Sequence, residues 1–183
     1  MMENLVISFY GGPASGKTVA AAGLFHSLSK LDLDVYLISE FAAECIMEGN
    51  SEALKDQIYA FGNTNHRIWS SYQKAQVTIT DAPILLNIIY QQNLPQSFND
   101  LVLETYFTYN NLNILVERKT SYTHSMVGRI HSLSQSVSID KAIIAMLDNY
   151  NIPYIKQSDV EAQNTTLTRY LTQHISEYYG ESE

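Results

Sequence analysis

A chain of 183 residues with a formal net charge of −8 is long enough to bury one full core. Its acidity disfavours a long polyanion as partner, because proteins that track phosphates present a basic stripe. The single cysteine, Cys45, excludes an intramolecular disulfide framework and fits a reducing compartment, and no apolar run approaches the roughly 18 residues of a membrane helix. The expectation is one domain over residues 1–183, cytoplasmic, monomer or homodimer, with neither nucleic acid nor membrane as partner.

Residues 5–10 form a nearly continuous apolar run, the pattern of a strand buried on both faces of a parallel sheet. Gly11-Gly12-Pro13-Ala14-Ser15-Gly16-Lys17-Thr18 follows at once. Ala20, Leu24, Leu28 and Leu31 then fall at helical spacing, predicting a first helix to about Lys30. A second strand, 35–39, delivers Glu40 to its carboxyl end, ahead of a short helix over 41–47. Leu54, Ile58, Phe61, Ile68 and Tyr72 predict one long amphipathic helix over 52–74, with Asn65 inside the apolar stripe. A third strand, 77–80, ends at Asp81, and Pro83 suits the first turn of a following helix. Another helix is predicted over 99–109, and a fourth strand over 113–116. Residues 117–134 lack periodicity and carry Arg118, Lys119 and Arg129, the composition of a cationic lid. Ile139, Ile143, Leu147 and Tyr150 mark a further helix, and 153–155 a fifth strand. Ser158 to Glu161 offers a capping box for a last helix striped by Leu167, Leu171, His174 and Tyr178. Strands alternating with helices predict a parallel α/β sheet, whose ligands sit beyond the carboxyl ends of the strands. Tyr10, Glu40, Asp81 and Glu117 all fall at such ends.

The spacing G-x-x-x-x-G-K-T between an apolar strand and a helix meets the requirements of a phosphate-binding loop. Glycines let successive N–H groups turn inward onto phosphate oxygens, and the helix from Lys17 through Thr18 and Val19 adds its positive dipole end. Lys17 would reach the β- and γ-phosphates of ATP, and the Thr18 hydroxyl would ligate Mg²⁺. Asp81 suits metal organisation, activation of an acceptor hydroxyl, or both, against the plainer role of a helix cap. Glu40 suits a general base for the attacking hydroxyl, against an ordinary surface acid, and Glu44 lies one turn on. Arg118 and Arg129 would supply positive charge to a transferring phosphoryl group. Gln57, Phe61 and Asn65 recur at i+4, so two amides and a ring share a face able to hold a flat base, with Arg67 on the same helix. Core packing is the competing role for Phe61. The histidines show no zinc-type pairing.

Four segments together resemble a known family: residues 11–18, S-E-F-A-A-E at 39–44, V-T-I-T-D-A-P-I-L-L at 77–86, and N-I-L-V-E-R-K followed by Gly128-Arg129. The chain resembles the phage-type P-loop ATPase/kinase group related to the ribosylnicotinamide kinase domain of NAD-salvage proteins. That resemblance implies a nucleoside- or nucleotide-kinase-like core, a five-stranded parallel sheet ordered 2-3-1-4-5, and helices on both faces. It also implies active-site roles for Glu40, Asp81, Arg118 and Arg129, and a virus-encoded protein working in a bacterial cytoplasm. The third strand ends here in Asp81-Ala82-Pro83, where those kinases carry Asp-x-Asp. The function expected is ATP-dependent phosphotransfer to a nucleoside, nucleotide or related small metabolite. Its rivals are a nucleotide-binding switch or inhibitor that transfers nothing, and a kinase of modified bases in DNA.

Overall fold

The computed structural model of the protein describes residues 4–31, 33–118, 132–158, 164–170 and 173. Five strands form one parallel sheet: β1 (Leu5–Tyr10), β2 (Val35–Ile38), β3 (Val77–Thr80), β4 (Asn110–Val116) and β5 (Ile155–Gln157). Their order is β2-β3-β1-β4-β5, the order the resemblance implies. Among the described residues six α-helices connect them: α1 (Lys17–Leu28), α2 (Phe41–Met47), α3 (Gln57–Tyr72), α4 (Leu86–Tyr90), α5 (Gln96–Tyr106) and α6 (Leu133–Asn149). Residues 164–170 are also helical.

The central strand shows why its sequence is apolar at nearly every position. Val6 and Tyr10 enter a core with Phe61, Ile68, Phe98, Val102, Ile143 and Leu147, contributed by α3, α5 and α6. Ile7 and Phe9 enter a second core with Ala20, Leu24 and Leu28 of α1, together with Leu167. Both faces of the sheet are therefore covered, giving three layers and placing the strand ends at one rim. Cys45 is buried and outside any disulfide, packed as a small apolar side chain. No helix among the described residues is long and apolar enough to cross a membrane.

Several boundaries move for identifiable reasons. The long helix predicted over 52–74 is divided at Asp56, whose carboxylate accepts the Tyr59 N–H at 3.0 Å and so caps α3; Ser51–Lys55 is a separate 3₁₀ turn. The helix predicted over 99–109 starts earlier, at Gln96 behind Pro95, and ends at Tyr106. That early end lets β4 begin at Asn110, where the two asparagines pair with Leu5 and Val6 despite their low strand propensity. Helix α6 begins at Leu133, inside the stretch 117–134 read as irregular. Ser132 caps α6, accepting the Gln135 N–H while the Gln135 side chain accepts the Ser132 N–H at 2.7 Å. Lys119 and Arg129 lie outside the described residues, as do Leu171, His174, Tyr178 and most of the capping box expected at 158–161.

Candidate active site

The turn from β1 into α1 is held in backbone conformations that its small residues permit. Gly16, at φ 102°, occupies left-handed space open to glycine without steric cost. At Gly12 the constraint is close approach, since a Cβ there would lie 2.6 Å from the Ser136 carbonyl and 2.7 Å from Asp140 Oδ1. Lys17 is only 7% exposed, and its Nζ donates to the Gly12 carbonyl at 3.4 Å. The Thr18 hydroxyl donates to Asp81 Oδ2 at 2.5 Å across the gap between β1 and β3. Asp81 is itself 3% exposed. Its second oxygen, Oδ1, and the buried Ser15 hydroxyl have no hydrogen-bond partner among the described residues. Buried polar atoms without partners are costly, and a polar ligand held by the loop would satisfy these two.

A second set of contacts fixes the loop from its flank. Asp140 of α6 accepts the Gly12 N–H at 2.6 Å through Oδ1 and the Arg118 Nε–H at 2.8 Å through Oδ2. Arg118 then donates through a terminal nitrogen to the Pro13 carbonyl at 2.9 Å. The arginine just past β4 is thus bound to both the loop and α6. Sequence reasoning gave Asp140 no role; the available signal was an acid just ahead of the apolar run of α6, at Ile139-Asp140-Lys141.

From the loop a cavity of about 1080 Å³ extends along the ends of β2 and β3. Pro13 to Val19, the strand-end carboxylates Asp81 and Glu40, and Gln57 and Tyr90 from α3 and α4 all line it. Burial, and then the carboxylates of Glu40 and Asp140, push the Tyr90 phenol well above its ordinary range, so it stays protonated as a hydrogen-bond donor.

The face of α3 that reaches this cavity carries Gln57, Ala60 and Thr64, a 3–4 spacing. Of the trio expected there, only Gln57 lies along it. Phe61 turns into the core, edge-on to Phe98 with ring centroids 5.7 Å apart. Asn65 accepts the Tyr109 hydroxyl at 2.7 Å. Arg67 grips Glu44 with two nitrogens, at 2.9 and 2.6 Å, and its guanidinium lies 5.4 Å from the centre of the Phe41 ring. Those hydrogen bonds hold the Glu44 carboxyl down to about 2. Tyr10 is wholly buried, and Glu117 is exposed just past β4.

Among solved structures, the chain is similar to thymidylate kinase from Ehrlichia chaffeensis, with a TM-score of 0.61 at 16% identity. The match covers 92% of this chain and 98% of that one. It is also similar to the protein APE1195, with a TM-score of 0.52 at 17% identity over 96% of this chain and 98% of the other. At such identities the likeness establishes the fold, which is that of a P-loop nucleotide kinase. None of the curated proteins matches the sequence. The profile of one family, described as an AAA domain, matches residues 6–163. The chain therefore belongs to that AAA-domain family of P-loop proteins.

Proposed function

We propose that the protein is an ATP-dependent phosphotransferase acting on a small hydroxyl-bearing acceptor of the nucleoside or nucleotide kind. The observation that carries the proposal is the continuity of one cavity from the phosphate loop, past two strand-end carboxylates, to a separate wall on α3 and α4. A protein that only sensed a nucleotide has no need of that second half. The kinase fold of the solved neighbours supports the same reading.

The residues divide by their surroundings. The loop over residues 11–19 binds the triphosphate through backbone N–H groups other than those of Gly12 and Ser15, which donate to Asp140 and the Gly12 carbonyl, and through the start of α1, with Lys17 beside the outer phosphates. Thr18 and Asp81 fit a hard divalent cation, since they offer a hydroxyl and a carboxylate with one buried oxygen unclaimed. Mg²⁺ bound there supplies charge neutralisation for the phosphates. Glu40, at the end of β2 and on the cavity wall, receives the proton of the acceptor hydroxyl. Gln57 and Tyr90 orient the acceptor, and Arg118 sets the loop's position through Pro13. Arg129, in the segment before α6, is assigned to the transferring phosphoryl group. Positioning and charge carry most of the rate in such reactions.

The test is incubation with Mg-ATP and panels of nucleosides, nucleoside monophosphates and ribosylnicotinamide, following ADP and new phosphorylated mass. Acceptor-dependent ADP, absent in Lys17→Ala, is the expected result. Tight ATP binding with no acceptor-dependent ADP across the panel would instead identify a switch.

A further inference from the structure

Glu40 stands where the sheet gives least support. Among the described residues β2 is an edge strand, paired only with β3 over four residues, and the helix that follows it has seven residues. A strand end with one neighbour and a short helix behind it shifts easily unless side chains hold it. Asp81 differs, because β3 lies between two strands and the carboxylate is tied to Thr18.

The hold at Glu40 comes from Arg67, which reaches across from α3. Two of its nitrogens donate to the Glu44 carboxylate, at 2.9 and 2.6 Å, and one of them also donates to the Ser39 carbonyl at 3.5 Å. The Ser39 hydroxyl donates to the same carboxylate. Phe41, whose ring centre lies 5.4 Å from the Arg67 guanidinium, meets Tyr59 of α3 edge-on with centroids 5.5 Å apart. One cation therefore engages the residues on both sides of Glu40. It also engages Glu44, whose N–H donates to the Glu40 carbonyl at 3.3 Å. A planar fork that grips a carboxylate with two bonds while stacking near a ring is the property of arginine, not lysine.

Arg67 does this from outside the large cavity. Glu40, Phe41 and Glu44 line that cavity, whereas Arg67 lines a separate recess of about 420 Å³ along β2 and α3. Ser39 lines both. The guanidinium thus stands behind the wall that Glu40 belongs to. Building on the phosphotransferase reading, we infer that Arg67 is a positioning residue, which braces the turn from Ser39 to Glu44 so that the Glu40 carboxylate faces the acceptor hydroxyl. It serves turnover through Glu40 and makes no contact with acceptor or nucleotide.

Two measurements test the brace, and the first is independent of turnover. Amide hydrogen exchange in wild type and Arg67→Gln follows the Ala43 and Glu44 N–H groups, both of which donate to the Glu40 carbonyl. Both are expected to exchange about fivefold faster in the variant, with the β1 and β3 amides unchanged. Unaltered rates at Ala43 and Glu44, or acceleration spread through the sheet, would overturn the brace whether or not phosphate is transferred.

Turnover is then read as a double-substitution cycle with Glu40→Gln. Arg67→Gln alone should lower kcat about tenfold while the KM values for ATP and acceptor stay within about twofold, and Arg67→Lys should recover only part of the loss. In the Glu40→Gln background the same substitution should change kcat by less than about twofold, since both act on one step through one group. Additive losses would show that Arg67 acts independently of Glu40, and a raised acceptor KM would make it a binding residue; either result overturns the inference. A wild-type protein without acceptor-dependent ADP sinks the phosphotransferase reading, and the exchange rates alone then decide whether Arg67 holds the turn.

Discussion

The two halves of the cavity are built on different physical terms. At the donor end, Ser15, Lys17 and Asp81 are each at most 7% exposed, and Asp140 and Arg118 bind the loop from behind. The acceptor end is walled by a seven-residue helix, a 3₁₀ turn and one face of α3, and two of its carboxylates are paired at the surface. Buried, interlocked polar groups leave little freedom to alter a loop's shape without cost. Exposed acids on short elements can be exchanged one at a time with little effect on stability. On the proposed reading, the contrast makes the donor site a fixed device and places acceptor choice in replaceable wall residues.

That contrast can be broken at several points. The largest effect is expected from Lys17→Ala, which should lower phosphotransfer by about a hundredfold to a thousandfold while thermal unfolding stays near wild type. A comparable loss with any acceptor-wall variant would erase the distinction. Next, Phe61→Ala should cost about 3 kcal/mol or more in denaturant unfolding, because the ring is a core element packed on Phe98. Gln57→Ala, four residues earlier on α3, should leave unfolding almost unchanged and raise the acceptor KM. Equal stability losses in the two variants would contradict their assignment to core and wall.

Asp140→Asn should raise the KM for ATP by about tenfold, the scale of losing a charge-assisted hydrogen bond, with little change in acceptor KM. An effect on the acceptor alone would show that the clamp acts elsewhere. The smallest effect belongs to the Glu44–Arg67 pair. Glu44 is depressed from 4.5 to about 2 by the Arg67 hydrogen bonds, so its stabilisation is fully present above about pH 4.5 and is lost as pH falls toward 2. Both side chains are partly exposed, so screening should hold the neutral-pH difference between wild type and Glu44→Gln under about 1 kcal/mol. That difference should vanish in acid; a difference that grew there would reverse the sign of the linkage.

Legibility in the sequence followed contiguity. The phosphate loop is one uninterrupted run, and β1 and β3 are short segments with sharp limits, β3 running straight into Asp81, so the parallel α/β fold and that strand-end carboxylate could be read directly. The acceptor wall was harder, because a face of α3 depends on where the helix begins. Asp56 caps it at Gln57, and the face reaching the cavity then carries Ala60 and Thr64. Phe61 and Asn65 share an i+4 row with Gln57, but the core and Tyr109 claim them. The Asp140 clamp joins residues 128 positions apart, a relation that no local pattern carries. Arg67 illustrates the same limit: a cation on the right helix is neutralised by a partner 23 residues away.

The central claim is that the two halves of this cavity act together in one transfer. The direct measurement is single-turnover reaction of the protein with γ-labelled ATP, Mg²⁺ and the best-binding nucleoside, with the label traced by product. The account predicts label on the nucleoside hydroxyl, with its appearance abolished in Lys17→Ala. Label found only in inorganic phosphate, or retained in ATP with both ligands bound, would contradict it.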